Sequence, residues 1–236
     1  MSPDGPSQQL CRWQIFPDAP ALYAQALAVV VRLAQESIAT RSAFHIVLAG
    51  GGTPQPLYRQ LRAIETDWSR WHIYYGDERC LPPDDPARNS VMAQTAWLDH
   101  VPVPAAQVHT IDAEQGAVEA ARRYAHELAG IDLFDLVLLG LGEDGHTASL
   151  FPGHELGASR DLPPVLAVSD APKPPPQRVT LSAWRLSRAR AVMFLVTGAA
   201  KRPAMSAWRA GAEIPACVIA PAAGVDVLVE RNSWPS

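Results

Sequence analysis

Short apolar segments alternate with segments of helical periodicity along most of the 236-residue chain, and this alternation constrains the fold more than any other feature. Apolar segments bounded by turn residues predict strands at 44–49, 71–75, 134–139, 178–181, 191–196 and 225–229. Apolar residues at helical spacing predict helices at 21–36, 56–64, 90–97, 114–128 and 201–209. Alternating strands and helices predict an α/β fold, a doubly wound, mostly parallel sheet with helices on both faces.

Composition limits the partners of such a domain. The chain carries 24 acidic and 20 basic residues, so it lacks the basic excess of a duplex-binding protein, and we expect no nucleic-acid partner. Three widely spaced cysteines, Cys11, Cys80 and Cys217, argue against disulfides and a thiolate zinc site and favour a reducing cytoplasm. No segment has the length of a membrane span, and the polar start lacks a secretory signal. We therefore predict a single domain over 1–236 without a membrane partner, in which residues 1–12 are poorly ordered.

A glycine-rich loop, Gly50-Gly51-Gly52-Thr53-Pro54, follows the first predicted strand. Ligands of open parallel sheets bind beyond the carboxyl ends of the strands, which is where this loop lies. The backbone N–H groups of glycines can approach an anion closely, and Thr53 can cap the next helix or contact the anion. We interpret Gly51, Gly52 and Thr53 as phosphate-binding residues. A tight strand-to-helix turn is the alternative interpretation.

The second predicted strand is followed by an acid and a base, Asp77 and Arg79. Two residues apart, they leave the strand end on the same side, and an arginine fork there can hold a phosphate, a carboxylate or a developing oxyanion. The alternative is an ordinary solvated ion pair in a surface loop.

The loop after the third predicted strand carries the clearest catalytic candidate, His146. Its glycines spell GxGxxG at 140–145, but a Pro-Gly pair at 152–153 leaves no room for the long helix of a dinucleotide-binding site. Asp144 and Glu143 give the histidine a polar setting, and imidazole is suited to act as a base near neutral pH. A metal site here would lack both HExxH spacing and cysteine ligands, so we expect none. A packed or solvent-exposed histidine without a role is the alternative.

Two further cations stand at strand ends, Arg178 and Lys201. Lys201 lies where a helix is predicted to begin, and the helix dipole makes that position unfavourable for a cation. We interpret this conflict as a sign of an anion bound between the two. Either residue could instead be a solvated surface side chain.

With these motifs the chain resembles the 6-phosphogluconolactonases, within the superfamily that includes the glucosamine-6-phosphate deaminases. The resemblance extends from about Phe16 to Val229. It rests on GGGTP at 50–54, YGDER at 75–79, Asn89, LGLGEDGHTASLFPG at 139–153, PKPPPQRVTLS at 172–182 and TGAAK at 197–201. Two positions depart from the usual family pattern, because Arg88 precedes Asn89 and Arg202 follows Lys201, which places extra cations near the expected phosphate.

This resemblance implies a doubly wound α/β enzyme, often monomeric, that hydrolyses the lactone of phosphorylated gluconate without a cofactor. It implies a carboxylic ester hydrolase of the pentose phosphate pathway whose substrate is 6-phospho-D-glucono-1,5-lactone. It also implies that His146 acts in catalysis and that the substrate is surrounded by Asp77, Arg79, Asn89, Arg178 and Lys201.

The expected mechanism is general-base catalysis, in which His146 takes a proton from the attacking water. Asp144 or Asp77 would orient the imidazole, and Arg79 or loop N–H groups would stabilise the oxyanion. The glycine loop and Lys201, with or without Arg178, would hold the phosphate. Three alternatives stay open: a sugar-phosphate isomerase or deaminase, a non-catalytic phosphosugar-binding regulator, and a flavodoxin-like domain with another ligand.

Overall fold

The computed structural model describes residues 9–235, which contain ten strands and six α-helices. The strands are β1 (Cys11–Phe16), β2 (Phe44–Leu48), β3 (Trp71–Tyr75), β4 (Asp77–Arg79), β5 (Val108–His109), β6 (Phe134–Gly140), β7 (Val165–Val168), β8 (Arg178–Leu181), β9 (Ala189–Val196) and β10 (Val225–Glu230). The helices are α1 (Ala19–Arg41), α2 (Gln55–Leu61), α3 (Asn89–Ala96), α4 (Ala117–Glu127), α5 (Ala183–Ser187) and α6 (Arg202–Arg209). Within residues 9–235, no helix combines the length and apolarity needed to cross a bilayer.

Seven strands form one sheet in the order β1-β10-β9-β6-β2-β3-β5, and all of their pairings are parallel. The remaining strands form a small antiparallel sheet in the order β4-β8-β7. The predicted α/β fold with a mostly parallel sheet is therefore confirmed. Grouping segment 178–181 with the parallel strands was wrong, because a four-residue apolar segment does not specify which strand it pairs with.

The five predicted helices are present with shifted ends. The segment 114–128, for example, forms a helix only from Ala117, because Gly116 takes a positive φ of 89° and interrupts it. The expectation of poor order at 1–12 falls mainly on residues 1–8, which lie outside the described residues. The remaining residues of that stretch make defined contacts. The side-chain amide of Gln9 donates to two main-chain oxygens, those of Ala216 and Ile219, and the next residues enter β1.

Strand β6 crosses the middle of the core, and six of its seven residues are buried. Its one charged residue, Asp135, is 3% exposed and is paired on both oxygens. It accepts hydrogen bonds from the guanidinium of Arg41 at 2.8 Å and from the main-chain N–H of His45 at 2.8 Å. A buried carboxylate is tolerated only with such partners, so Asp135 fixes the end of α1 against the start of β2.

The direction in which the chain adds strands reverses between β2 and β6. From β2 the sheet grows outward through β3 and β5, whereas from β6 it grows the other way through β9 and β10. Loops leaving the carboxyl ends of two such neighbouring strands diverge, and a crevice opens between them. The loops after β2 and β6 are the glycine-rich loop at 50–54 and the loop that carries His146.

Candidate active site

A cavity of about 390 Å³ opens at the carboxyl ends of β2, β3 and β6. Nine of the ten side chains and glycines singled out from the sequence line it, although they come from segments far apart in the chain. They are Gly51, Gly52, Thr53, Asp77, Arg79, Asn89, His146, Arg178 and Lys201. The tenth, Asp144, does not line the cavity but contacts the imidazole that does.

The imidazole of His146 is held by Asp144. The Nδ1 atom lies 2.5 Å from a carboxylate oxygen of Asp144, and the same oxygen accepts the main-chain N–H of His146 at 3.2 Å. An ionised carboxylate can only accept, so the ring proton resides on Nδ1 and Nε2 is left as an acceptor. Burial raises the pKa of Asp144, but the hydrogen bonds and charge of His146 outweigh this effect and hold that pKa below its usual value.

The loop beneath this pair is closed by main-chain hydrogen bonds. The N–H of Gly142 donates to the carbonyl of His146 at 2.7 Å, and the Thr147 hydroxyl donates to the carbonyl of Gly140 at 2.9 Å. A Cβ atom at Gly142 would lie 2.0 Å from Nδ1 of His146 and 2.6 Å from a carboxylate oxygen of Asp144. The imidazole therefore occupies the space that any other residue at 142 would need.

Asp77 has a different setting from Asp144. It is 6% exposed, and both of its oxygens are engaged. One accepts from the side-chain amide of Asn89 at 3.0 Å and the other from the hydroxyl of Ser149 at 2.6 Å. No hydrogen bond joins Asp77 to His146 in residues 9–235, so of the two carboxylates considered for orienting the ring, the structure brings Asp144 into contact.

Asn89 is fixed by the carboxylate of Glu78, which is fully buried. One Glu78 oxygen accepts the main-chain N–H of Asn89 at 2.7 Å, and the other accepts that of Ser90 at 2.8 Å. The carboxylate thus caps the first turn of α3 from another segment of the chain. The carbonyl oxygen of the Asn89 side chain has no partner among the described residues and lies beside the main chain of Gly50, at the cavity wall.

The cavity is strongly cationic. Four basic side chains line it, and Asp77 is the one carboxylate among the described residues that do so. The basic residues are Arg79, Lys173, Arg178 and Lys201. This local excess stands against a net charge of −4 for the whole chain, and it predicts an anionic ligand.

Arg178 is held rigidly at the cavity wall. Its guanidinium donates to the carbonyls of Lys173 at 2.8 Å and Pro175 at 3.1 Å, and it stands 5.6 Å from the centre of the Phe151 ring. Burial lowers its pKa, Asp77 opposes that shift and the neighbouring charge of Arg79 adds to it. Arg79 donates to the carbonyl of Ala87, and its buried Nε atom has no partner among the described residues.

The glycine-rich loop meets the loop after β9 at the other side of the cavity. The hydroxyls of Thr53 and Thr197 lie 3.3 Å apart, and Lys201 follows as the last residue of a short 3₁₀ helix, Ala199–Lys201, that leads directly into α6. The carboxylate of Glu230 accepts the N–H of Gly198 at 2.8 Å and thereby fixes the loop that carries the lysine.

The two extra cations noted near the expected phosphate do not line the cavity. Arg88 is 3% exposed and turns toward Glu114 at 2.8 Å and the carbonyl of Ile111 at 2.7 Å. Arg202 donates to the carbonyl of Asn232 at 2.7 Å. The side chains of Arg88 and Arg202 are therefore not placed to contact an anion in the cavity.

Sequence reasoning missed two residues of the site, Ser149 and Lys173. Ser149 could not be assigned from the sequence, because its contact with Asp77 joins positions 72 residues apart in the chain. Lys173 lies in the proline-rich segment between β7 and β8. Its position between two prolines, shortly before the strand that begins at Arg178, is the only sequence signal that could have indicated it.

This chain is similar to known proteins in both sequence and structure. A family model described as glucosamine-6-phosphate isomerases/6-phosphogluconolactonase matches residues 17–229. A 6-phosphogluconolactonase of Mycobacterium tuberculosis is 40% identical over 225 residues, which cover 89% of this chain and 90% of the relative. The crystal structure of a 6-phosphogluconolactonase from Thermotoga maritima superposes with a TM-score of 0.87 at 26% identity, covering 94% of this chain and all of the other. A monomeric glucosamine-6-phosphate deaminase shares the fold, with a TM-score of 0.78 at 20% identity over 94% of this chain and 98% of its own.

Proposed function

The chain belongs to the glucosamine-6-phosphate isomerase/6-phosphogluconolactonase family, and we infer that it is a 6-phosphogluconolactonase. It hydrolyses 6-phospho-D-glucono-1,5-lactone to 6-phospho-D-gluconate. The observation that carries this inference is a carboxylate-bound imidazole facing a cavity with four basic side chains. We further propose that it works as a monomer in the cytoplasm, in the oxidative branch of the pentose phosphate pathway.

The lactone carbonyl is already electrophilic, so the enzyme must supply a directed water, a stabilised oxyanion and a hold on the distant phosphate. No covalent nucleophile and no cofactor is required by this scheme. His146 is the base: its Nε2 atom accepts a proton as the water attacks C1. The imidazolium then returns the proton to the ring oxygen as the C1–O bond of the tetrahedral intermediate breaks.

Asp144 orients the imidazole and stabilises its charged form while the proton is held. The lowered pKa of Asp144 is consistent with this role, because a carboxylate that stays ionised is the one that favours imidazolium. Asp77 has another part in the proposal. Held by Ser149 and Asn89, it keeps the wall between the glycine loop and β4 in place.

The anion-binding groups divide between the two ends of the substrate. Arg79, which lines the cavity, donates to the developing oxyanion. Lys201 and the N–H groups of Gly51 and Gly52, with Thr53, bind the phosphate, and Arg178 adds positive charge between the two ends. Asn89, which also lines the cavity, contacts a hydroxyl of the sugar.

Two alternative functions fit the site less well. A deaminase or isomerase needs a carboxylate base beside C2, and the one carboxylate among the described lining residues, Asp77, already has both oxygens engaged. A regulator that only binds phosphosugars has no need of a histidine held by an aspartate in the same cavity as the cations.

Stopped-flow measurement of proton release from freshly generated 6-phosphogluconolactone tests the proposal. General-base catalysis contributes roughly 10²–10⁴ in rate, so His146→Ala should lower kcat by that order while binding of 6-phosphogluconate changes little. Asp77→Asn is compared in the same assay. A His146→Ala enzyme with unchanged turnover, after subtraction of spontaneous hydrolysis, would remove the histidine from the mechanism. Ammonia release from glucosamine 6-phosphate at a comparable rate would favour the deaminase instead.

A further inference from the structure

A second cavity lies at the opposite end of the sheet from the candidate active site. It has a volume of about 430 Å³ and opens where β6 and β9 begin, whereas the catalytic loops leave the carboxyl ends of the same strands. The turn before β6, from Leu128 to Asp132, forms one wall, and Trp184 and Arg188 of the segment before β9 form another. None of its lining residues lines the first cavity.

Three arginines line this cavity, Arg160, Arg185 and Arg188. Asp132 is the one acidic lining residue among those described, and it pairs with Arg188. The side chain of Asp132 is 81% exposed, so solvent screening weakens the attraction between its carboxylate and the arginines. The lining thus carries two positive charges in excess, in a chain whose net charge is −4.

Arg185 is the buried member of the three. The residue is 3% exposed, yet no carboxylate in residues 9–235 forms an ion pair with it. Its guanidinium stacks 3.9 Å from the centre of the Phe134 ring and donates to the carbonyls of Ile131 at 2.9 Å and Arg188 at 3.4 Å. Burial lowers the pKa of Arg185 to about 10, so it remains charged at neutral pH. A buried cation held by main-chain carbonyls and one aromatic ring, without a carboxylate, is costly, and a bound anion would offset that cost.

Arg160 is the third basic residue of the cavity lining. It is exposed and makes no hydrogen bond or ion pair with the described part of the chain. Arg160 belongs to a different segment of the chain from Arg185 and Arg188, which lie three residues apart at the end of α5. Guanidinium groups that line one cavity suit the oxygens of a phosphate, which accept paired N–H groups.

We propose that this second cavity, lined by Arg160, Arg185 and Arg188, binds a small phosphate monoester at a site separate from the active site. The phosphate lies between the guanidinium groups. The organic part packs against the apolar wall formed by Trp184, Pro164 and Leu128. The volume of about 430 Å³ accommodates a phosphate with a ring of hexose or nucleoside size. This site goes beyond the proposed function, since it contains none of the groups assigned to lactone hydrolysis.

Isothermal titration calorimetry of the full chain tests the proposal with three probes: inorganic phosphate, glucose 6-phosphate and AMP. Phosphate alone tests the anion contacts, and the two esters distinguish a sugar from a nucleoside as the organic part. The expected isotherm for at least one ester has two binding events. Lys201→Ala should weaken the event at the active site, whereas Arg160→Ala and Arg188→Gln should weaken the other by roughly tenfold, the usual effect of losing one charge-assisted hydrogen bond.

Arg32→Ala is the matched control, because it removes one exposed arginine on α1 that lines neither cavity and should leave both events intact. Arg160→Ala should also keep the kcat of lactone hydrolysis. Weakening of the second event by either arginine variant supports the site. If no binding event of any of the three probes is weakened by Arg160→Ala or Arg188→Gln, the proposal is overturned. These outcomes are independent of whether the enzyme is a lactonase.

Discussion

Replacing Gly142 with alanine displaces the proposed catalytic base without removing any functional group. The new Cβ atom would lie 2.0 Å from Nδ1 of His146, whereas ordinary contacts begin near 3.4 Å, so ring and methyl must separate by about 1.4 Å. The main chain cannot yield easily, because the Gly142 N–H is bonded to the His146 carbonyl at 2.7 Å. The imidazole must therefore leave its position against Asp144.

A misplacement of this size has a predictable cost. Errors of about 1 Å in the position of a reacting group lower rates by around 10²-fold, because the near-attack geometry is lost. We therefore expect Gly142→Ala to lower kcat by roughly 100-fold while changing KM much less, since the cations and the glycine loop are untouched. The ring Nδ1–H signal that reports the contact with Asp144 should shift or disappear in proton NMR spectra.

Gly140→Ala provides the matched control from the same loop. A Cβ atom at Gly140 meets no atom within 4 Å, so this variant should keep the Asp144–His146 contact and lose far less turnover. Both variants are assayed by stopped-flow proton release after circular dichroism has established that they fold. Equal losses of kcat in the two variants, or a Gly142→Ala enzyme with the turnover of the parent, would refute the steric reasoning.

Three further predictions concern the phosphate, the buried carboxylate and acid stability. Lys201→Ala should mainly raise KM, and a fallen kcat with unchanged KM would contradict its role in phosphate binding. Ser149→Ala leaves an oxygen of the buried Asp77 without its 2.6 Å partner, so the free energy of unfolding should fall by about 1–3 kcal/mol in urea titrations; an unchanged midpoint would show that Asp77 does not depend on the serine. His45 has its pKa lowered from 6.5 to about 4, chiefly by burial and then by the charge of His72. The unfolded chain therefore takes up a proton that the native state resists, so stability is complete above about pH 6.5 and declines as the pH falls toward 4. His45→Gln should flatten that decline, and an unaltered pH profile would assign acid sensitivity to other groups.

The parts of the fold that were predictable are those that one segment determines by itself. Strand β6 is a continuous apolar segment, and its burial on both faces follows from its composition. The short strands β4, β5 and β7 could not be found in this way, because two to four residues carry no periodicity and their pairing depends on distant segments. The same reason explains why 178–181 was assigned to the wrong sheet.

The same distinction between local and long-range contacts applies to the candidate site. The contact of Asp144 with His146 joins residues two apart, and the loop sequence already placed them together. The alternative, Asp77, could be set aside only when its partners Asn89 and Ser149 were known, and these contacts depend on the packing of β4 against the loop after β6. Arg88 also required the structure, since nothing in the sequence around it shows that Glu78 and Glu114 draw it away from the cavity.

The GxGxxG motif at 140–145 shows that the same sequence pattern can have different physical causes. In a dinucleotide site the three glycines serve one pyrophosphate at a helix terminus, but here no α-helix begins between β6 and β7. Gly142 is needed because the ring of His146 and the carboxylate of Asp144 occupy the place of its side chain, and Gly145 because its φ is +86° with Ile214 2.7 Å from the position of a Cβ. Gly140 meets neither constraint. The expected result is that the Gly140→Ala enzyme folds and hydrolyses the lactone, whereas the Gly142→Ala enzyme folds but has little activity. That pair of results would establish that the loop is built around the imidazole rather than around a nucleotide.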